Sequence, residues 1–196
     1  MSFSESLAQG RVAESQIAKW LMIRGAAVMP AYEIEKQRFC GPQLFTNAGG
    51  FIAPDLLVFR DSGMLWVEAK HKSVFTWHRN SGKWTTGIDL HHYGQYMHVS
   101  KQTQLPVWLL FFHREETPDA RDAQHGCPSK CPTGLFGGEL FDLVGRENHR
   151  SQALTRGGDG ATGHGKSGMV YWAEGSLKKL QSKEEFLQIV SGQKAA

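Results

Sequence analysis

Asp55, Glu68 and Lys70 are the residues of this chain whose types and spacing most directly suggest chemistry. Asp55 follows a proline, and Glu68-Ala69-Lys70 ends the second of two apolar segments. Carboxylates that converge on one point, with a backbone carbonyl between them, form a site of hard oxygen ligands that suits Mg²⁺ or Mn²⁺. Such an ion neutralises charge that develops in phosphodiester cleavage and activates the attacking water, which a nearby lysine can orient.

Whether these residues meet depends on the register of the hairpin that carries them. Alternation along its second strand places Glu68 and Lys70 on one face. A two-residue loop at 62–63 would pair Asp55 with Lys70, whereas a four-residue loop at 60–63 would pair Asp55 with Glu68. A three-residue loop would turn Asp55 to the opposite face unless a β-bulge restored the alignment. The sequence alone leaves these registers open.

The motif resembles the signature of a known nuclease superfamily. Pro54-Asp55, an apolar hairpin and Glu68-Ala69-Lys70 together resemble the PD-(D/E)XK nucleases, and the resemblance covers residues 4–113. It implies a metal-dependent nuclease that hydrolyses DNA, with Mg²⁺ or Mn²⁺ as its cofactor. By the resemblance, the metal ligands are Asp55, Glu68 and the backbone carbonyl of Ala69, and Lys70 positions the water.

Two further catalytic positions follow from the same resemblance. Members of the family often carry an acid on the first helix, where this chain has Glu14. The helix after the motif often carries a glutamine or tyrosine, for which Gln95 is preferred here and Tyr93 and Tyr96 are alternatives.

Hydrophobic periodicity and turn residues predict the elements that position these side chains. The predicted elements are a helix over 4–24 ended by Gly25, a strand over 28–34, a loop over 39–50, hairpin strands near 55–60 and 64–70, a second hairpin over 73–88, a helix from Asp89 to 103, a buried strand over 106–113, strands at 140–144 and 169–173, and a last helix capped by Ser176.

This order predicts an α/β domain built on a mixed sheet. By the resemblance it is a restriction-endonuclease-like core, made of a helix, a three-stranded meander, a helix and a strand. We expect one domain over 1–196, with its core at about 4–113 and a C-terminal extension over 114–196 that contains a glycine-rich loop.

The second hairpin interleaves aromatic and basic side chains around a turn at 80–82. Such a pattern suits stacking on nucleobases and contact with a phosphate backbone. It equally suits a hairpin that packs on the domain while its charges stay in water. The candidate nucleic-acid-binding residues are Trp77, Arg79, Lys83 and Trp84, together with Lys166 in the glycine-rich loop.

Residues 160–167 match the P-loop pattern GxxxxGK[ST]. A P-loop needs a hydrophobic strand before it and a helix after it, so that amides and a helix N-terminus hold the phosphates. Neither neighbour is indicated here, because the segment after the match is typical of a strand. A glycine-rich loop is the simpler interpretation, and a P-loop nucleotide hydrolase is the less favoured alternative.

Composition limits the class of protein. The 196 residues, 40% of them hydrophobic, are typical of a folded protein, and the net charge of +3 neither requires nor excludes a nucleic-acid partner. The sequence predicts no signal peptide and no membrane helix. Three cysteines favour reduced thiols in a cytoplasmic protein. Cys127 and Cys131 have CxxxC spacing, for which free thiols are favoured over a zinc site.

We therefore predict a small stand-alone endonuclease of repair, recombination or a mobile element, acting on DNA. Many enzymes of this fold dimerise to cut both strands, so a homodimer is compatible with the resemblance. The alternative is a catalytically inactive nucleic-acid-binding module of the same fold, which would bind in a salt-dependent way without metal-dependent cleavage.

Overall fold

The computed structural model describes residues 3–31, 42–47, 49–151 and 168–192, and only the backbone at 3–11 and 13. The helices are α1 (Phe3–Ile23), α2 (Leu90–Thr103), α3 (Ala120–Ala123), α4 (Leu140–Leu143) and α5 (Lys183–Ser191), with a 3-10 turn at Glu174–Ser176. The strands are β1 (Ala27–Pro30), β2 (Gln43–Thr46), β3 (Gly49–Ile52), β4 (Leu56–Arg60), β5 (Gly63–Lys72), β6 (Thr76–His78), β7 (Lys83–Asp89), β8 (Val107–His113), β9 (Gly134–Glu139), β10 (Glu147–Ser151), β11 (Met169–Ala173) and β12 (Lys178–Gln181).

The main sheet has six strands in the order β1-β4-β5-β8-β9-β12. Strands β1, β4 and β5 form an antiparallel meander, and β8 lies parallel to β5 after a crossover through α2. Strands β9 and β12 continue the sheet in antiparallel fashion. The predicted α/β class with a mixed sheet is confirmed, and the succession of helix, meander, helix and strand is compatible with a restriction-endonuclease-like core.

Each face of the main sheet covers a hydrophobic core. Helices α1 and α5 pack on one face, where Ile17, Leu21 and Phe186 meet Val67 of β5. Helix α2 and a second sheet, in the order β10-β11-β7-β6, pack on the other face. Fully burying a side chain of this size contributes roughly 1.5–3 kcal/mol, so burial on both faces fixes the direction of every side chain on the central strands. The core residues of the second face include Ile88, Tyr96, Phe111 and Trp172.

Helix α1 ends at the glycine that the sequence predicts. Gly25 has φ of 86°, in the left-handed region that favours glycine. The amide of Ala26 donates to the carbonyl of Leu21 at 3.1 Å, and the amide of Gly25 donates to that of Met22 at 3.0 Å. These two bonds satisfy carbonyls that the helix end would otherwise leave unpaired.

The predicted helix from Asp89 to 103 is also confirmed, because the Asp89 carboxylate accepts a hydrogen bond from the amide of His91 at 2.8 Å. The strands predicted at 106–113 and 169–173 are confirmed as β8 and β11.

Three predictions of local structure are wrong. The predicted loop over 39–50 contains β2 and the start of β3 in its described part. The segment 140–144 begins with helix α4 instead of forming a strand, because Glu139 caps it by accepting a hydrogen bond from the amide of Asp142 at 3.0 Å. Ser176 caps no helix but ends the 3-10 turn, and Ser182 caps α5.

The strand that precedes α4, β9, was not predicted because it is rich in glycine. A Cβ at Gly137 would lie 2.5 Å from a side-chain carbon of Leu110 on the neighbouring strand β8. Glycine is therefore needed for the packing of this strand, although it is a poor strand former in general. Through β9 and β12, the C-terminal segment adds two strands to the main sheet.

His113, at the end of β8, is a fully buried histidine. Its ring is 0% exposed and stacks on Phe75 with the ring centroids 3.6 Å apart. Burial, followed by the positive charge of Lys72, lowers the pKa of His113 to about 3. The protein therefore folds around a neutral imidazole.

We expect this histidine to make the protein acid-sensitive. The folded-state pKa lies below the unfolded value, so the unfolded state binds more protons and stability falls as the pH drops below about 6.5. At pH 4.5 the loss would be at most about 3 kcal/mol. Urea unfolding would measure the free energy of unfolding at pH 7 and pH 4.5. The decrease between the two pH values should be smaller for His113→Leu than for wild type. The exposed control His125→Gln should behave as wild type, and equal acid sensitivity in all three proteins would contradict this assignment.

Within the described ranges, no helix has the length and apolar character needed to span a membrane.

Candidate active site

The register of the β4–β5 hairpin places the two acids of the motif side by side. Arg60 pairs with Gly63, so the turn consists of the two residues 61 and 62. Leu56 pairs with Val67, and one further step along the same register sets Asp55 opposite Glu68. Of the registers that the sequence leaves open, this one brings the two acids together. The predicted loop for this register had four residues, 60–63, whereas the observed turn has two.

Asp55 is held at the end of β4 by its backbone and by its side chain. Its carbonyl accepts a hydrogen bond from the amide of Ala31 at 2.8 Å. Its Oδ2 accepts one from the amide of Ala69 at 2.9 Å. The N–H and C=O of one residue in an extended strand point to the same side. The carbonyl of Ala69 therefore points to the side of β5 on which Asp55 lies.

Glu68 is a buried carboxylate. Its side chain is 1% exposed and forms an ion pair with Lys70, whose side chain is 32% exposed. The hydroxyl of Tyr96 also lies against this carboxylate. A buried carboxylate is costly unless cations or donors compensate it. The sequence prediction that Glu68 and Lys70 share one face is confirmed; on that face Glu68 is buried, whereas Lys70 keeps part of its side chain exposed.

Asp55, Glu68, Glu14 and Lys70 form one electrostatic cluster. Burial, followed by the negative charges of Glu68 and Glu14, raises the pKa of Asp55 well above its ordinary value, although Lys70 opposes this. Burial disfavours the ammonium of Lys70, but the carboxylates of Glu68, Asp55 and Glu14 outweigh it and raise the pKa of Lys70. Glu14 of α1 thus lies within electrostatic reach of the motif. Three acids around one ammonium leave an excess of negative charge that would attract a divalent cation.

Helix α2 places Tyr96, and not the preferred Gln95, against the acids. Tyr96 is 2% exposed, and burial followed by the negative charges of Glu68 and Asp55 raises the pKa of its hydroxyl well above the ordinary value. The side-chain oxygen of Gln95 instead accepts a hydrogen bond from the amide of Ile52 at 3.0 Å. Gln95 therefore binds α2 to β3. The helical pattern alone does not show which of these adjacent residues faces the sheet.

Lys72 and His92 lie beside the cluster and were not predicted as site residues. Burial, followed by the charge of Lys70, lowers the pKa of Lys72 to about 8. The same two causes lower the pKa of His92, which lies in the first turn of α2. The signal for Lys72 was present in the sequence, since it follows Lys70 by two residues on one strand and therefore shares its face.

No group of three or more His, Cys, Asp or Glu side chains in the described ranges is arranged to hold a metal ion. Cys127 and Cys131 are free thiols, and burial followed by the neighbouring Cys127 raises the pKa of Cys131 to about 11. Cys40 lies outside the described residues.

The second hairpin, β6–β7, packs its tryptophans inwards. Trp84 is 9% exposed, and the ring of Trp77 lies edge-on to it at a centroid distance of 5.0 Å. The core covers the ring of Trp84, and Trp77 packs against the same core, as in the alternative in which the hairpin packs on the domain. Arg79 and Lys83 are exposed. Their contact with nucleic acid stays a prediction, and Lys166 lies outside the described residues.

The structure also bears on the P-loop pattern at 160–167, which itself lies outside the described residues. Strand β11 begins at Met169, one residue beyond the end of the pattern. A helix is required at that position, since its N-terminus would hold the phosphates. The context of a P-loop is therefore not met.

Comparison with known proteins finds similarity in structure but no match in sequence. No family model matches the chain, and no curated protein matches its sequence. Among solved structures, the chain is similar to Hjc, a Holliday junction resolvase from the archaeal hyperthermophile Archaeoglobus fulgidus, with a TM-score of 0.47 and 8% sequence identity over 90% of this chain and 99% of that chain.

Proposed function

We propose that this chain is a metal-dependent nuclease that hydrolyses DNA phosphodiester bonds, as a small endonuclease of repair, recombination or a mobile element. The observation that carries the proposal is the placement of Asp55 opposite the buried carboxylate of Glu68, with Lys70 paired to that carboxylate. A hydrolytic site needs such an accumulation of acids, whereas a structural hairpin gains nothing from it.

The residues present suit a hard divalent cation such as Mg²⁺ or Mn²⁺. Asp55, Glu68 and the carbonyl of Ala69 would hold it through oxygen atoms, and water would complete its coordination because Mg²⁺ usually keeps several waters in proteins. The bound ion would supply positive charge that stabilises the transition state and lowers the pKa of a water molecule. A cation would also offset the burial and the negative charge of Glu68 that raise the pKa of Asp55.

Lys70 acts as a hydrogen-bond donor in this proposal. Its raised pKa keeps the ammonium protonated at neutral pH, so it is not a general base. As a donor it can orient the attacking water and contact an oxygen of the scissile phosphate. Tyr96, whose hydroxyl also stays protonated, supports the position of Glu68 from α2. Glu14 adds the third negative charge of the cluster.

A panel of DNA substrates tests the function and the role of Lys70 together. Supercoiled plasmid, linear duplex, single strand and a four-way junction would be incubated with Mg²⁺, Mn²⁺ or EDTA. We expect metal-dependent cleavage by the wild-type protein. Lys70→Met should lower the rate by about 10²–10³-fold, because it removes a donor to the reacting groups. The exposed Lys101, at the far end of α2, provides the matched control Lys101→Met.

The outcomes separate the two functions that the sequence leaves open. Cleavage that disappears in EDTA and in Lys70→Met, but not in Lys101→Met, supports the nuclease. Absence of cleavage by folded wild-type protein, together with salt-dependent binding of the same substrates, would instead establish the inactive binding module.

A further inference from the structure

Strand β5 carries a second lysine next to the candidate active site. The strand ends at Lys72, two residues beyond Lys70, and alternation gives these lysines the same face. Their Cα atoms are roughly 7 Å apart, since a strand rises about 3.3 Å per residue. The electrostatic influence of both Lys70 and Glu68 reaches Lys72, which confirms that it borders the cluster.

Within the described part of the chain, Lys72 differs from Lys70 in forming no ion pair. Lys70 is paired with Glu68, whereas the side chain of Lys72 has neither an ion pair nor a hydrogen bond with any residue that the structure describes. The side chain is half-buried, and its neighbour in the register is His113, which is neutral. A half-buried ammonium without a partner is destabilising. A departure of this kind from good packing is expected at positions that serve a ligand.

An anion is the ligand that such an amine would take. Lysine binds phosphate as a point charge, and it does so without recognising the base. Successive phosphates of one nucleic-acid strand are separated by a distance comparable with the spacing of the two lysines along β5. If Lys70 contacts the scissile phosphate, Lys72 lies where the next phosphate of the same strand would pass.

We infer that Lys72 binds the phosphate adjacent to the scissile one, so that β5 holds two successive phosphates of the substrate strand. The inference rests on the proposed nuclease function, because that function places the scissile phosphate at Lys70. It makes Lys72 a binding residue for the phosphodiester backbone and gives it no part in the chemical step.

Lys72→Met tests this inference, because methionine keeps an unbranched apolar stem and removes the charge. Binding of a short fluorescent DNA duplex would be measured by anisotropy in EDTA at several salt concentrations, with Lys101→Met as the control. We expect weaker binding by Lys72→Met and a salt dependence whose slope is smaller by about one, as for the loss of one phosphate contact. In Mg²⁺, KM should rise while kcat changes little. The melting temperature should be unchanged or higher, since an unpaired charge is removed.

Two results would overturn the inference. One is a binding affinity, salt slope and KM equal to those of wild type. The other is a lower melting temperature with unchanged binding, which would make Lys72 a structural residue. The binding assay needs no cleavage, so it decides the role of Lys72 even if no substrate is cut. Conversely, cleavage by wild type with wild-type behaviour of Lys72→Met would refute the phosphate subsite and leave the nuclease intact.

Discussion

Glu68→Gln is expected to abolish Mg²⁺-dependent cleavage, with a fall in kcat of at least about 10³-fold. The substitution keeps the volume of the side chain but removes one of the two carboxylates that face each other across the hairpin. It also removes the partner of Lys70. The loss should exceed that of a single hydrogen-bond donor, for which factors of about 10²–10³ are typical, because both metal binding and the orientation of Lys70 depend on Glu68. Single-turnover cleavage of a labelled duplex measures this effect.

A matched control distinguishes loss of chemistry from loss of fold. Glu184→Gln removes a carboxylate that is 72% exposed on α5, and it should cleave as wild type does. The melting temperature of Glu68→Gln should not fall by more than a few degrees, since the ammonium of Lys70 is partly exposed and keeps the carboxylates of Asp55 and Glu14 near it. Cleavage by a folded Glu68→Gln protein at a rate within tenfold of wild type would contradict the assignment of Glu68 as a metal ligand.

Asp55→Asn is expected to make the metal-free protein more stable at neutral pH. The folded-state pKa of Asp55 is raised by burial, then by Glu68 and Glu14, above its unfolded value of about 3.9. A carboxyl whose pKa is higher in the folded state binds its proton more tightly there than in the unfolded state. The folding free energy therefore becomes less favourable as the pH rises from the unfolded pKa to the folded pKa. At pH 7–8, well above the unfolded pKa, the raised pKa of Asp55 therefore lowers the stability of the folded protein, and asparagine removes this cost while still accepting the hydrogen bond from Ala69.

The measurement is the melting temperature with and without Mg²⁺ at pH 7.5 and pH 5. Without metal, Asp55→Asn should melt about 3 °C or more above wild type at pH 7.5, which corresponds to about 1 kcal/mol for a chain of this size. The difference should shrink at pH 5. Mg²⁺ should raise the melting temperature of wild type and not that of the variant. Asp61→Asn, in the exposed turn of the same hairpin, is the control. A lower melting temperature of Asp55→Asn at pH 7.5 would contradict this view of the site.

The local pattern around the motif was sufficient to predict its strands but not their register. Alternation of polar and apolar residues correctly assigned Glu68 and Lys70 to one face, because burial on both faces of β5 enforces a period of two. The pairing of Asp55 depended on the turn, and a shift of one residue there inverts the face. Only the observed pairing of Arg60 with Gly63 decides it.

The choice between Gln95 and Tyr96 shows a second limit of sequence reasoning. Both lie on α2, and a polar and an aromatic residue in adjacent positions are compatible with either face of a helix that contacts two sheets. The contact of Gln95 with Ile52 depends on the β2–β3 hairpin, which the sequence did not predict. Without that hairpin there was no reason to turn Gln95 away from the acids.

The C-terminal third was predicted least well, for reasons of packing between distant segments. Strand β9 contains Gly137 and Gly138, which pattern rules exclude from strands, and they are accommodated because Leu110 and Leu143 occupy the space that side chains would fill. Strand β12 pairs with β9 and so depends on it. These contacts join residues far apart in the chain, so local secondary-structure propensity cannot predict them.

Binding of Mn²⁺, monitored by electron paramagnetic resonance, most directly tests the claim that Asp55 and Glu68 hold a metal ion. The signal of free Mn²⁺ would be titrated with wild-type protein and with Glu68→Gln. The proposed site predicts that wild type removes free Mn²⁺ in a saturable way and that Glu68→Gln, although folded, does not. Equal binding by the two proteins, or no binding by folded wild type at millimolar Mn²⁺, would contradict a metal site between Asp55 and Glu68.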